Sequence, residues 1–347
     1  MSLQAVNSQI LNLITPRDYG NVRAEYEAIR NAAALIDLSP AAKFEVSGKN
    51  AVPFINGLIT NDVKSLQVGE GTLAAFLNVQ GKVVSICRFY QTDDHLLIEC
   101  DGANRETLGK NLSRFVPAGE FFLQDVTDDL ALLSLQGPIA AELFLSLTVQ
   151  PVEAEPEYRN FHTMIDGTDV FITAHSRAGL PGFDIFVPRA AKADIQQKLL
   201  QRGATLAGSE ALEVARLEAG VPREGVDVTE NNILLEAGYE KAVSYTKGCY
   251  LGQEIIARIH WRGQPARQLR GLLVEASEPP AKNTELWAAD GKKVGEITSS
   301  VRSFALDQII ALAYVHRYYL TEGTQFTLKR DGAEQGSATI TQTPFVS

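Results

Sequence analysis

The segment Lys247-Gly248-Cys249-Tyr250-Leu251-Gly252-Gln253-Glu254 places one cysteine between two glycines, with a lysine two residues before it. Glycine lets a backbone adopt positive φ or approach a ligand closely. A thiol beside a cation and near a helix start, here expected at Gln253, is favoured as the thiolate, the form that attacks sulfur or ligates metal. Lys247 and Arg258 are the cations that would act on Cys249. Tyr250 and Gln253 would fix the loop, and Glu254 would hold Lys247 or Arg258 in place. At the level of spacing two readings stand: a functional thiol, or an inert one packed in a tight turn.

The other chemistry-bearing residues are less suggestive. The five histidines show no metal-ligand spacing, and no protein-only metal site is expected. There is no P-loop and no G-x-G-x-x-G leading into a helix. Cys87 lies in an apolar run and Cys100 ends a strand, so both read as structural thiols, and a reducing compartment, the cytoplasm, is expected. Asn61-Asp62 reads equally as a turn cap and as a ligand pair. Glu218 reads as a buried partner for Arg216 or Arg258. The net charge of −10 argues against nucleic-acid binding through the overall field. The basic run Arg258, His260, Arg262, Arg267, Arg270 reads as a solvated face or a seat for a small anion.

These residues need elements to position them. Composition is that of a soluble globular chain, 45% hydrophobic and 21% charged over 347 residues. No run approaches the ~20 apolar residues of a membrane span. Helices are expected over Glu25–Leu35, Ala51–Ile59, Asn104–Phe115, Ile139–Leu147, Ala190–Arg202 and Ser209–Leu217. Strands are expected over 43–46, 96–100, 131–135, 169–174 and 183–187, with a hairpin formed by 72–77 and 83–90 around Asn78-Val79-Gln80-Gly81-Lys82, where Asn78 shapes the turn. This texture is α+β rather than doubly wound. After Arg270 short strands alternate with turns such as Asp290-Gly291, the pattern of a small barrel. The expected division is residues 1–264 and 268–347.

The segment KGCYLGQE resembles the K-G-C-Y-x-G-Q-E signature of the YgfZ branch of the glycine-cleavage T-protein superfamily. Phe76 to Gly81 (FLNVQG), Leu58 to Val63 (LITNDV), Gln136-Gly137-Pro138, Arg216 to Gly220 (RLEAG) and Val294 to Val315 are similar to further motifs of that group. The resemblance implies three lobes around a central channel: two interleaved α+β lobes with ferredoxin-like elements, then a β-barrel. It implies tetrahydrofolate as the ligand, with Asn78, Asp184 and Arg258 as contacts, the arginine pairing with the glutamate tail. It implies Cys249, with Lys247, Gln253 and Glu254, as the functional centre.

The departures bear on activity. The aminomethyltransferases carry N-x-x-G-G-(I/V)-x-D-D, and the two acidic positions are Ser85 and Ile86 here. Neither can hold a charge or accept a proton as a carboxylate does. The superfamily's G-E-D-G-(F/Y)-E segment is reduced to Gly182-Phe183-Asp184-Ile185-Phe186. The resemblance therefore implies a folate-binding accessory factor in iron–sulfur protein maturation or repair, supporting enzymes such as tRNA-modifying radical-SAM enzymes. Its partners would be iron–sulfur proteins or their assembly factors. The alternative is a tetrahydrofolate-dependent aminomethyltransferase or demethylase, although without the acidic pair no aminomethyltransferase activity is expected. A non-catalytic folate module is the third reading, so enzymatic and non-enzymatic readings both stand.

Overall fold

Charged residues set inside apolar runs, Lys43, Arg88, Glu99 and Asp184 among them, lie on strands whose two faces are both covered. The computed structural model describes residues 15–114, 116, 121–148 and 154–346. The first sheet contains β2 (Ala42–Ser47), β3 (Gly71–Leu77), β4 (Val83–Gln91), β5 (Leu96–Cys100) and β6 (Phe122–Asp125), in the order β3-β4-β5-β2-β6. The second contains β1 (Ala34–Asp37), β7 (Leu130–Gln136), β8 (Asn160–Ile165), β9 (Thr168–Ala174), β10 (Gly182–Pro188) and β11 (Thr205–Leu206), in the order β11-β1-β7-β10-β9-β8. Because β1 precedes the whole first sheet in sequence but pairs with β7 and β11, the two lobes interleave.

The third lobe is a closed barrel of β12 (Arg267–Glu275), β13 (Glu285–Trp287), β14 (Lys293–Arg302), β15 (Ile309–His316), β16 (Gln325–Arg330) and β17 (Ala333–Thr341). Closure leaves no open sheet edge. No helix among the described residues is long and apolar enough to cross a membrane.

The helices are α1 (Val22–Asn31), α2 (Ala51–Asn56), α3 (Arg105–Ser113), α4 (Ala140–Leu145), α5 (Lys192–Gln201), α6 (Ser209–Glu218) and α7 (Gln253–Arg262). Two differ materially from the sequence expectation. The first helix stops at Asn31, and Leu35 belongs to β1, because Ala34, Leu35 and Ile36 are buried on both faces between β7 and β11. The expected helix to Ile59 stops at Asn56, because Thr60 exchanges hydrogen bonds with Ala75 and draws the chain into an edge pairing with β3. Phe115 lies outside the described residues.

Two buried carboxylates tie α6 and the loop after it to the barrel. Glu218 accepts hydrogen bonds from Tyr26 of α1 at 2.5 Å, from the Ser303 hydroxyl at 2.6 Å and from the Ala305 N–H at 3.1 Å. It pairs with neither Arg216 nor Arg258, which corrects the sequence reading. Arg216 instead binds Asp227 at 2.8 Å and also Glu213. Asp227 further accepts from the hydroxyls of Thr298 and Ser299 on β14.

Burial by itself pushes the Asp227 carboxyl up, but Arg216 and the two hydroxyls together hold it below the ordinary range. A depressed carboxyl contributes stability that is present at neutral pH and lost as pH falls through its lowered value. Asp227→Asn should therefore cost about 3 kcal/mol at pH 7, since it leaves Arg216 half-paired inside the protein. Urea unfolding should show that difference shrinking as the pH is lowered below the ordinary carboxylate range. An undiminished difference at low pH would show that Asp227 acts otherwise.

Candidate functional site

The Lys247–Glu254 loop owes its shape to contacts with the β3–β4 hairpin. Asn78 builds that hairpin's turn by accepting from the N–H groups of Gln80 and Lys82 at 2.9 and 3.0 Å. Gly81 has φ +71°, and a Cβ there would lie 2.7 Å from the Ile255 Cβ. Gly252 has φ +82°, and a Cβ there would lie 2.7 Å from the Asn78 carbonyl oxygen. Both glycines are needed for the hairpin turn and the start of α7 to touch backbone to backbone.

The rest of the motif pins this arrangement. The Lys247 ammonium donates to the carbonyls of Asn56, Ile59 and Asn61, the last two at 2.8 Å, and lies 5.2 Å from the centre of the Tyr250 ring. Burial lowers its pKa to about 8. Tyr250 is buried, and its N–H donates to the Gln253 side chain at 3.3 Å. Lys247, Tyr250, Gly252 and Gln253 thus shape a loop. Lys247 spends its charge on carbonyls at the end of α2. Glu254 is exposed and pairs with neither Lys247 nor Arg258 among the described residues, contrary to the role read for it in the sequence. Arg258 is exposed on α7. Cys249 is exposed, whereas Cys87 and Cys100 are buried.

Of the basic run, the Arg262 side chain lies outside the described residues, and Arg267, Arg270 and His260 turn to different partners. Arg267 pairs with Glu236 and stacks on Tyr314, Arg270 turns to Gln268 and the Leu269 carbonyl, and His260 stacks on Tyr245 with 3.7 Å between ring centroids. Asn61 donates to Thr72 and to two backbone carbonyls, and Asp62 accepts from the Lys64 N–H, so that pair builds a turn.

Between the two sheets sits a cluster of buried charge. Arg88 of β4 meets Glu99 of β5 at 2.7 Å. Arg177 meets Glu99 at 3.4 Å and Asp184 of β10 at 2.6 Å. Asp184 is fully buried, with Arg177 donors on both carboxylate oxygens, so it anchors an arginine at the lobe interface. Burial pushes the Glu99 carboxyl up, and Arg88 and Arg177 overcome this and hold it down. His175 accepts from Arg88 at 2.9 Å, which leaves its Nδ1–H to face Glu157 at 2.9 Å. Burial and the two arginines keep it neutral.

The strand registers align Asn160, Thr173, Asp184 and Ser134 across β8, β9, β10 and β7, a buried polar row. Arg88, Glu99 and Arg177 were not singled out in the sequence. For Arg88 and Glu99 the signal is a lone charge inside an apolar strand, as in SICRFY and LLIEC, whereas Arg177 lies in the loop before β10.

Where the sequence lacks the acidic pair, the fold supplies another carboxyl. Ser85 and Ile86 are both buried. Glu224, on the loop after α6, accepts from the Ile86 N–H at 3.0 Å and from the Asn104 side chain at 2.8 Å, and Asn104 also donates to the Ser85 hydroxyl at 3.0 Å. Burial, then repulsion by Asp101, pushes the Glu224 carboxyl up to about 8. Nothing in its immediate sequence marked it. Among the described residues no three His, Cys, Asp or Glu side chains converge to hold a metal ion.

A thiol reagent added to the native protein should modify one cysteine, Cys249, with Cys87 and Cys100 reacting only after denaturation. Peptide mapping by mass spectrometry reads this directly. Equal labelling of all three in the folded protein would contradict the burial described above.

The comparisons with known proteins agree with this architecture. The GCVT N-terminal domain family matches residues 2–247, and the glycine cleavage T-protein C-terminal barrel domain matches residues 267–347. The aminomethyltransferase of Symbiobacterium thermophilum is 31% identical over 343 residues, covering 95% of this chain and 90% of that protein. That of Rubrobacter xylanophilus is 31% identical over 301 residues, covering 86% and 80%. The crystal structure of the glycine cleavage system aminomethyltransferase T from Bartonella henselae superposes with a TM-score of 0.86 at 24% identity, covering 96% of this chain and 91% of that one, a likeness of fold. These relatives carry the aminomethyltransferase name and not that of the YgfZ branch. With the family matched over both its parts and relatives alike over nearly their whole length, this chain belongs to the glycine-cleavage T-protein superfamily.

Proposed function

We propose that this protein binds tetrahydrofolate where the two sheets and the barrel loops converge, and uses it in aminomethyl or related one-carbon transfer. The observation that carries this reading is the extent of the likeness. Relatives named aminomethyltransferase match through both the N-terminal region and the barrel. This moves the reading to the alternative left open by the sequence, away from the accessory role that KGCYLGQE suggested.

The residues present suit a polar, hydrogen-bonding ligand. Among the described residues, the Tyr90, Tyr245 and Tyr314 hydroxyls, Thr173 Oγ1, Ser176 Oγ and Arg223 Nε are buried without a hydrogen-bond partner. Buried polar atoms without partners cost about 1–3 kcal/mol each, so a ligand that satisfies them gains affinity. Arg88 and Arg177 are neutralised at the lobe interface by Glu99 and Asp184, so they order the interface rather than charge it. Asn78 and Asp184 act through the hairpin turn and through Arg177. Arg258, exposed on α7, is the residue proposed for the ligand's glutamate tail. Tetrahydrofolate supplies the nucleophilic ring nitrogen that receives the one-carbon unit; the chain supplies orientation, exclusion of water and an acid.

A second reading is favoured by one specific observation. Cys249 is held outside on a loop shaped by Lys247, Tyr250, Gly252 and Gln253, more specific partners than an inert turn requires. Under that reading Cys249 meets iron–sulfur clients or their assembly factors, and folate binding is retained.

Purified protein with tetrahydrofolate and an aminomethyl-lipoyl donor should release ammonia. A rate on the order of 10²-fold below that of an enzyme with the acidic pair is expected from losing one charge placed for the transition state. No release above the folate-free control would remove the transfer reading. For the second reading, a deletion strain should show lowered iron–sulfur enzyme activities that the wild-type gene restores and Cys249→Ala does not. Full restoration by Cys249→Ala would remove it.

A further inference from the structure

The backbone around Ile86 leaves one ladder position without a backbone partner. Ile86 is opposite Ala75 of β3, but the N–H and carbonyl of Ala75 are both bonded to Thr60, so Ile86 turns its N–H the other way, toward β5. β5 ends at Cys100, opposite Cys87, and offers Ile86 no ladder partner. The Glu224 carboxyl takes that place. Its Oε1 accepts two hydrogen bonds, from Ile86 and from Asn104, and among the described residues none is made to Oε2.

We propose that Glu224 is the acid of the folate site, standing in for the absent pair at positions 85 and 86 and donating a hydrogen bond from Oε2 to an acceptor atom of the reduced pterin. The assignment rests on the folate reading above. In the protonated carboxyl the oxygen that accepts two N–H groups is the carbonyl-like one, so the proton sits on the other. The donated proton stays on Oε2 or moves to the ligand acceptor, leaving a carboxylate and a protonated ligand atom, and net charge is conserved.

Burial above all keeps this carboxyl uncharged at neutral pH. Asp101, just past β5, repels a second negative charge, while the hydrogen bonds from Ile86 and Asn104 and, more weakly, Arg88 on β4 favour the carboxylate. Cys100 on β5 has its thiol pushed far up, first by its hydrogen bond with Cys87, and adds no charge. Tyr239, across from Arg88 and Glu224, is raised by burial and stays neutral, and Arg223 directs its Nη1 to Glu213 at 3.1 Å.

The sign of the pH effect follows. Glu224 is protonated below about 8 and loses its donor proton above it. If the ligand requires the acid form, affinity falls about tenfold between pH 7 and pH 9. Glutamine keeps an acceptor for Ile86 and Asn104 and carries a donor that does not titrate. Calorimetric titration with tetrahydrofolate under anaerobic conditions, from pH 6.5 to 9, should show that decline for the wild type, a flat profile for Glu224→Gln, and weakened binding throughout for Glu224→Ala. A flat wild-type profile, or the same decline in Glu224→Gln, would overturn the assignment while leaving the folate reading intact. Absence of wild-type binding at every pH would overturn both.

Discussion

The cluster of Arg88, Glu99, Arg177 and Asp184 is the interaction on which the rest of the structure depends. Each charge is buried or nearly so: Arg88 and Glu99 pair within the first lobe, Arg177 and Asp184 within the second, and the contact between Arg177 and Glu99 joins the two pairs. Glu99 needs Arg177 from the second lobe as well as Arg88 from its own strand pair. Removing one member of such a set leaves an uncompensated charge in low dielectric, which costs about 3–5 kcal/mol. The two sheets are therefore obliged to meet in one register, and the neutral His175 and the polar row on β8, β9, β10 and β7 are aligned by that meeting.

The barrel is attached by a different device with the same logic. Glu218 and Asp227 flank a short stretch after α6, and each reaches both into the α+β body and onto the barrel. The stretch between them, Ala219 to Val226, includes Glu224. A loop clamped at both ends by buried carboxylates has little freedom, so the position of Glu224 against Ile86 is fixed by the attachment of the barrel.

The conspicuous KGCYLGQE segment divides its labour. Most of it is structural: glycines at a backbone crossing, a lysine closing off carbonyls, and a glutamine holding a turn. What this arrangement accomplishes is to leave Cys249 outside. A chain that needed only a tight turn would not require so many specific partners. The two readings proposed above would place their chemistry at different points of the molecule, one at Cys249 and one near Ile86.

The sequence by itself determined the element types that rest on local pattern. The β3–β4 hairpin and its Asn78 turn, the start of α7 at Gln253 and the change to short barrel strands after Arg270 are all legible there. So was the lack of an acidic pair at Ser85 and Ile86. Tertiary structure decided what depends on distant partners. Leu35 left a helical pattern for a strand because two strands far along the chain cover both its faces. Glu218 chose Tyr26 and Ser303 over the arginine two residues away, because α1 and the barrel bring hydroxyls into its reach. Glu224 meets the Ile86 N–H only because β5 ends one residue short. A run of residues specifies its own hydrogen-bonding period, whereas the charge state and partner of a buried carboxyl are set by desolvation and by groups that only the folded chain brings together.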